Sequence, residues 1–595
     1  MATSREPLSL PGEVTYRVLP LSLPTPWQPL PALKELSRFE SIRLFVERAT
    51  AAHPPFTLTE DNARPVTEVC WRLDGIPLAI ELAAARIKVL SPEQIAARLN
   101  NRFRLLTGGG RSLLPHHRTL QAALDWSYDL LGPHERTLLR RLSVFSGWCT
   151  LEAVERICSD DGVAVEDILD LLTSLVDKSL VIVEQKRGEA RYRLLETVRE
   201  YSLDRLVEAD EAVERRNRQL RWYANLAERA EPELQGPHQE MWLGRLEAEH
   251  DNVRGALEWG MTEEGEAEPA LRLAAAIRWF WEIRGYWREG RNWLEQIVVR
   301  AGIAAPPLLR ARALQGIGFI AIRQGDASRV AEAGEESLAL VGGIGDKQGR
   351  ASSLTILGLY ACATRDFGRA EALGGESLAL CRELGHKWGI AAALHMLALV
   401  ARSRGELDRA DAFFEESMSI SRELGDRWVM AQGLRDQGLV ARERGDYARA
   451  EKLTQESLKL LRELGDKVDT AGGLSNLGIL AWLQNLHEKA AALFKESLTL
   501  RKELDDKPGI AVCLLGLAVV SQSMGDSRRA TRLFGAAEGL RKALGAQLPP
   551  FIRARYEIHV TGLRASLGEP TFTTAWTEGY ALALDKTITY ALEVG

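Results

Sequence analysis

The hexapeptide EESLAL at 335 returns as GESLAL at 375, EESMSI at 415, QESLKL at 455 and KESLTL at 495, each 40 residues after the last. A fixed period of that length means one supersecondary unit, copied, that buries its core only by stacking on its neighbours. Other markers keep the step: Gly-Asp or Gly-Glu at 325, 405, 445 and 525, Ala370 to Ala530 in steps of 40, and a second turn at Gly345, Gly385, Gly425 and Gly465. Within ASSLTILGLYACATRDFGRAEALGGESLALCREL, two apolar segments of helical spacing flank a short polar turn. The unit is therefore a helix–turn–helix, and the array predicts an extended right-handed solenoid over about 270–545. A single long coiled coil is excluded because Gly and Asp punctuate every unit twice. An earlier, degenerate unit has its Gly285 40 residues before Gly325. Seven tryptophans between 222 and 293 are expected to pack as core rather than form a ligand cage. After about 545 the period is lost, as at a terminal cap.

A chain of 595 residues is too long for one domain. Its formal charge of −6 gives no global attraction to nucleic acid or an anionic membrane. Its six cysteines lie far apart with no metal-ligand spacing, so they read as reduced thiols. With no apolar leader and no run of 18 apolar residues, a cytoplasmic location without membrane contact is expected.

The array resembles tetratricopeptide repeats of the longer, forty-residue kind, through Gly358, Gly438 and Gly478 in the first helices and the alanines twelve residues later. The region before it reads as helices through ELSRFESIRLFVERATAAHPPF and through NARPVTEVCWRLDGIPLAIELAAARIKVLSPEQIAARLNN, with a break at DGIPLA. Two more follow in TLQAALDWSYDLLGPHERTLLRRLSVFSG, and VTYRVLPLSLP near the start alternates like a strand. VEDILDLLTSLVDKSLVIVEQKRGEARYRLLETVREYS then reads as helix, strand, turn at Gly188, strand and helix, the outline of a winged helix. TSREPL, GIPLAIELAAAR, TLQAALDWSYDLL and YRLLETVREY resemble segments of STAND signal-transduction ATPases, in particular bacterial regulators of the NB-ARC and LuxR types that carry tetratricopeptide repeats. The resemblance implies a mostly α fold: a remnant edge of the nucleotide-binding domain (1–25), a helical lid (26–106), a winged helix (107–210), a Trp-rich helical adaptor (211–300), tetratricopeptide repeats (301–545) and a helical cap (546–595). The chain is similar to such an ATPase entered partway through its nucleotide-binding domain.

The same resemblance places Arg5 at a terminal phosphate and Pro77 near an adenine, with Gly75 counted among the cofactor-binding residues. A phosphate cradle needs Gly-x-x-x-x-Gly-Lys-Ser/Thr, so that backbone N–H groups and an ammonium surround the phosphates. The sequence contains none, and TGGGRS at 107–112 lacks the lysine. These three residues are therefore expected to be vestigial. No catalytic residue, metal or cofactor is expected, ATP or ADP entering by resemblance alone. An ATPase would need the phosphate loop from another segment. At the position where related proteins have a nucleotide-facing histidine stands Leu195, followed by Glu196.

DNA recognition is the second reading, and charge argues against it. The segment in the place of a recognition helix carries Glu166, Asp167, Asp170 and Asp177 against Lys178, where cations should face phosphate. The wing offers Lys186, Arg187, Arg191 and Arg193. The favoured reading is a regulatory scaffold whose concave repeat face takes a protein or peptide. The positions expected to be exposed there are Arg312, Gln315, Thr355, His395, Arg402, Gln432, Arg435, Arg442, Ser475, Asn476 and Trp482. Arg402, Arg435 and Arg442, with Gln432, His395, Asn476 and Trp482, form the candidate partner site for an acidic segment. The alternative is that the arginines pair with Glu406 and Glu443.

Overall fold

The computed structural model describes residues 20–24, 30–99, 120–186, 188–544 and 550–593. Arg5, Arg187 and the TGGGRS stretch lie outside the described residues. Two compact units appear, one of Met1–Tyr223 with Ala248–Ala270 and one of Ala224–Glu247 with Leu271–Gly595.

In the first unit, helices α1 (Leu33–Leu36), α2 (Glu40–Ala52), α3 (Glu60–Arg72), α4 (Pro77–Ala84) and α5 (Pro92–Arg98) surround a core of Ile42, Phe45, Val66, Val69, Leu73, Ile80 and Ile95. Thr59 and Ser91 close capping boxes at the starts of α3 and α5, each satisfying two otherwise unpaired backbone donors. Pro20–Pro24 forms neither helix nor strand, so this part of the expected strand is absent. It is pinned instead by backbone: the Leu21 N–H donates to the Gly75 carbonyl at 3.0 Å. Gly75 has φ +67°, and a Cβ there would stand 2.4 Å from the Leu21 oxygen. Only glycine fits this turn and this approach.

α6 (Leu120–Asp129) precedes the three helices α7 (Pro133–Leu142), α8 (Leu151–Cys158) and α9 (Ile168–Asp177), then β2 (Val181–Lys186), β3 (Glu189–Leu194) and α10 (Glu196–Glu208). The expected hairpin is present. A third, short strand that the sequence reading omitted, β1 (Cys149–Thr150), extends it into an antiparallel sheet of order β1-β3-β2. This is a winged helix. Its core joins Leu138, Leu142, Val154, Ile157, Ile168, Leu172, Leu175, Val181 and Leu194. Asp74 ties the turn between α3 and α4 to it by accepting from the Thr197 N–H at 2.9 Å. α11 (Ala212–Glu233), α12 (Gln239–Ala248) and α13 (His250–Gly260) follow.

The second unit is the solenoid. Its first and second helices alternate as α14 (Ala267–Arg284), α15 (Trp287–Ala301), α16 (Pro307–Gln324), α17 (Ala327–Ile344), α18 (Lys347–Ala363), α19 (Phe367–Glu383), α20 (Lys387–Ser403), α21 (Leu407–Leu424), α22 (Arg427–Glu443), α23 (Tyr447–Leu464), α24 (Lys467–Leu483), α25 (His487–Glu503), α26 (Lys507–Ser523) and α27 (Ser527–Ala543). α28 (Pro550–Leu567), α29 (Glu569–Tyr580) and α30 (Leu584–Leu592) cap it. The punctuation has a direct cause. Asp366, Asp446 and Asp526 cap second helices by accepting from the backbone of Arg369, Arg449 and Arg529, the expected role of Asp there. The recurring serine is explained too. Ser377, Ser417, Ser457 and Ser497 are buried and donate to the carbonyls of Ala351, Ala391, Ala431 and Ala471, at 2.7–2.9 Å and always 26 residues back. Each bond staples the second helix of a repeat to its first. Lys347–Glu383, Lys387–Glu423 and Lys467–Glu503 bridge the same helix pairs at the surface, where such pairs add little.

The repeats do not form the expected extended groove. The turns after α21, α23 and α25 are met by residues of the unit's opening helices. Pro237 lies against Gly425, Arg284 donates to the Leu464 carbonyl and Arg288 pairs with Asp505. The solenoid coils tightly enough for its start to touch repeats four to five units further on.

Candidate functional site: the inner face of the solenoid

First helices line the inside, where those of distant repeats approach one another. The indole N–H of Trp388, on α20, donates to Asp426 at 3.1 Å, and that of Trp428, on α22, to Asp466 at 3.0 Å. Each tryptophan thereby reaches the residue that caps the following first helix. Trp279, from α14, meets both edge-on, at ring-centroid distances of 4.9 Å and 6.1 Å. Phe319 lies beside it, and the Arg278 guanidinium covers its ring at 3.9 Å. Of the seven tryptophans expected as core, Trp259, Trp279 and Trp281 are buried, and Trp222, Trp242, Trp287 and Trp293 are half-buried.

Beside this aromatic contact lies an ionic one. Asp469, on α24, accepts from Arg323 Nη2 at 2.5 Å, from Arg435 Nη1 at 3.1 Å and from Gln432. Arg323 comes from α16, 146 residues earlier, and its guanidinium also stacks over Trp287 at 4.9 Å. Asp436 accepts from Arg435 and, at 3.1 Å, faces His395. Burial opposes charge on Arg323, Arg435, Asp436, Asp466 and Asp469, and the partners decide the outcome. Arg323 and Arg435 hold Asp469 below the usual carboxylate range, and Arg435 and His395 hold Asp436 far below it. Asp466 has no such cation in contact, so burial and the adjacent Asp469 raise it well above. Burial likewise raises Asp426 and Glu282, and lowers Arg278 to about 10.

Several positions expected to be exposed are not. Gln315, Thr355, Gln432 and Ser475 are buried. Gln315 donates to the Gly349 carbonyl, while Thr355 and Ser475 bond the stapling serines Ser377 and Ser497. Arg312 pairs with Glu231. Arg435 and His395 belong to the aspartate cluster, so Arg435 pairs neither with solvent nor with Glu443. Glu406 pairs with Arg404 and Arg409. Trp482 is half-buried, donating to Ser523 and contacting His559 of the cap. Arg402, Arg442 and Asn476 are half-buried on first helices, and Arg402 Nη1 is buried without a hydrogen-bond partner. The sequence missed Asp426, Asp436, Asp466 and Asp469 as a group. Asp426 and Asp466 read from the sequence as helix caps like those before second helices, and nothing in the period set Asp436 or Asp469 apart.

Gly75 is buried against Leu21, as above, and Pro77 is exposed at the first position of α4, where its missing N–H costs nothing. On the winged helix, Glu166, Asp167, Asp170 and Asp177 are all exposed and Lys178 pairs with Glu135 at 2.6 Å. The wing offers fewer free cations than expected. Arg191 is buried and paired with Glu249, which also accepts from Tyr223 and Asn252. Arg193 stacks on Trp148 at 4.9 Å. Among the described residues no cluster could hold a metal ion, and no helix is long and apolar enough to cross a membrane.

Comparison with known proteins agrees with both architectures. The tetratricopeptide repeat model matches residues 349–423, 429–503 and 469–543, and the winged helix-turn-helix domain model matches 131–207. A Mycobacterium tuberculosis protein, provisionally named an HTH-type transcriptional regulator, is 38% identical over 363 residues, covering 60% of this chain and 39% of its own. An uncharacterized protein of the same organism is 43% identical over 213 residues, or 36% of this chain and 51% of its own. The chain thus spans between about two fifths and half the length of these relatives. Among solved structures, a Pyrococcus horikoshii STAND protein with a tetratricopeptide repeat sensor is 16% identical at a TM-score of 0.46, covering 86% of this chain and 73% of that one.

Proposed function

We propose that the chain is a regulatory interaction scaffold in which the inner face of the solenoid takes a protein or peptide. The observation that carries this reading is Arg402. Its Nη1 is buried yet bonded to nothing, on a half-buried side chain of an inner helix. An unmade charge-assisted bond in such a place is costly, and a carboxylate or carbonyl of an extended segment would complete it. Asn476 and Arg442 flank the path of that segment along α22 and α24. Through its likeness to STAND regulators, capture would be relayed to a nucleotide-dependent switch. Without a phosphate loop in this sequence, the chain contributes the sensor and not the hydrolysis. Affinity capture from extracts of the source cells tests the reading. Arg402→Glu should lose the partners held by the wild type. Arg382→Glu, at an exposed pair with Glu416 on a second helix, should keep them. Equal recovery by all three proteins overturns the assignment.

A second reading, a DNA-binding regulator, draws on the winged-helix match and on the provisional name of the longer relative. The acidic exposed face of α9 argues for a packing role instead.

A further inference from the structure

We propose that the seam between Arg323 and Asp469 is a latch, at which the solenoid opens to admit its partner to the inner face. This rests on the reading of that face as a partner site. What joins the two sides is a row of discrete contacts: the Arg323–Asp469, Arg288–Asp505 and Arg427–Glu240 pairs, the Trp279 contact with Trp388 and Trp428, the close approaches of Pro237 to Gly425 and of Gly285 to Val468, and hydrogen bonds from Arg284 to the Leu464 carbonyl and between Gln239 and the Asp426–Trp428 turn. Within the array the serine staples hold the two helices of a repeat together, and adjacent repeats share buried apolar residues such as Ala398, Phe414 and Val440.

The seam can part without stranding a buried charge, the event that makes breaking an ordinary buried pair so costly. On one side Asp469 keeps Arg435 and Gln432. On the other, Arg323 keeps its stack on Trp287. Trp388 and Trp428 keep their bonds to Asp426 and Asp466. Closure meanwhile leaves donors unmade: Arg278 Nη1, Trp279 Nε1 and Arg323 Nε are buried with no partner, and opening hydrates them. Both states are thus nearly satisfied, which is what a two-state element requires.

The seam also offers its own lock. A Cβ on Gly285 would lie 3.9 Å from the Val468 Cβ, within the spacing of a disulfide. The test uses the full chain without any partner: wild type, Arg323→Gln, and the Gly285→Cys, Val468→Cys pair, oxidised and reduced. The readout is the radius of gyration together with hydrogen exchange at the Trp428 amide, which donates to Gln239 across the seam as well as to Asp426 beside it. Arg323→Gln should exchange at least tenfold faster and be larger. The oxidised pair should exchange at least tenfold slower than its own reduced form. If Arg323→Gln matches the wild type, or if oxidation changes nothing once the cross-link is verified by mass, the latch is wrong. Because no partner enters, that failure is separate from a failure of the capture experiment.

Discussion

Arg284 donates from Nη1 to the carbonyl of Leu464, 2.8 Å away and 180 residues further along the chain. Leu464 ends α23, so its carbonyl has no acceptor role inside the helix, and a cation there meets the negative end of the helix dipole. The next residue, Gly465, turns the chain at φ +68°. A Cβ on it would collide with the Arg284 guanidinium. A glycine that punctuates the repeat therefore also makes room for the far end of the solenoid.

Gly465→Ala should consequently destabilise more than Gly385→Ala. Both alanines take up left-handed strain of about 1–2 kcal/mol, but nothing lies within 4 Å of a Cβ at Gly385. Displacing the Arg284 guanidinium from the Leu464 carbonyl should add roughly 0.5–1.5 kcal/mol, the net worth of a hydrogen bond. Thermal melts of the two variants decide it, and equal losses would contradict the contact.

Asp469 serves two arginines and a glutamine, whereas Arg323 leaves its partner well supplied. Asp469→Ala should therefore cost roughly 3–5 kcal/mol, the range for stranding buried charge, and Arg323→Ala clearly less. Denaturant titration measures both. A larger loss for Arg323→Ala would mean that the pair is isolated rather than shared.

The pH dependence has a sign. Asp466 is raised in the folded chain above an unfolded value of about 3.9. Its contribution is present below that value and is lost as pH rises through the folded one. Asp436, lowered by Arg435 and His395, contributes above about 3.9 and loses its contribution as pH falls below. Asn at 466 can still accept from Trp428 but carries no charge. Asp466→Asn should therefore gain melting temperature at pH 8 relative to its effect at pH 4. Because Asp466 and Asp469 titrate together, the same shift at both pH values would show that the pair shares its proton differently.

In the first unit, Gly75→Ala drives a methyl into the Leu21 carbonyl from a left-handed backbone position. The segment around Leu21 should detach and be cut by protease under conditions that leave the wild type whole. Unchanged protection would mean that other contacts, such as Ser41 to the Ser22 carbonyl, hold the segment.

The acidic face of α9 predicts no shift of a DNA duplex at about 50 mM salt. Binding that weakens steeply with salt, as phosphate contacts do, would favour the second functional reading.

The repeat was legible because every unit repeats the same local chemistry: Asp at a cap, Gly in a left-handed turn, Ser at the staple, Ala where helices touch. The winged helix was legible for a related reason, the change of period from helix to strand and back. β1 escaped because two residues carry no period. The inner face was misread because helical periodicity reports which residues face a repeat's own partner helix. It cannot report what another turn of the superhelix brings opposite. Arg435 and Gln432 look exposed on a helical wheel, yet both bond Asp469, which Arg323 also meets from 146 residues earlier.

Site-specific photocrosslinking in the source cells tests the functional account most directly. A photoreactive residue at Asn476, on the inner face, is predicted to form a covalent adduct with a polypeptide partner, and one at Val299, 81% exposed on the second helix α15, is not. An adduct at Val299 and none at Asn476 would contradict the account.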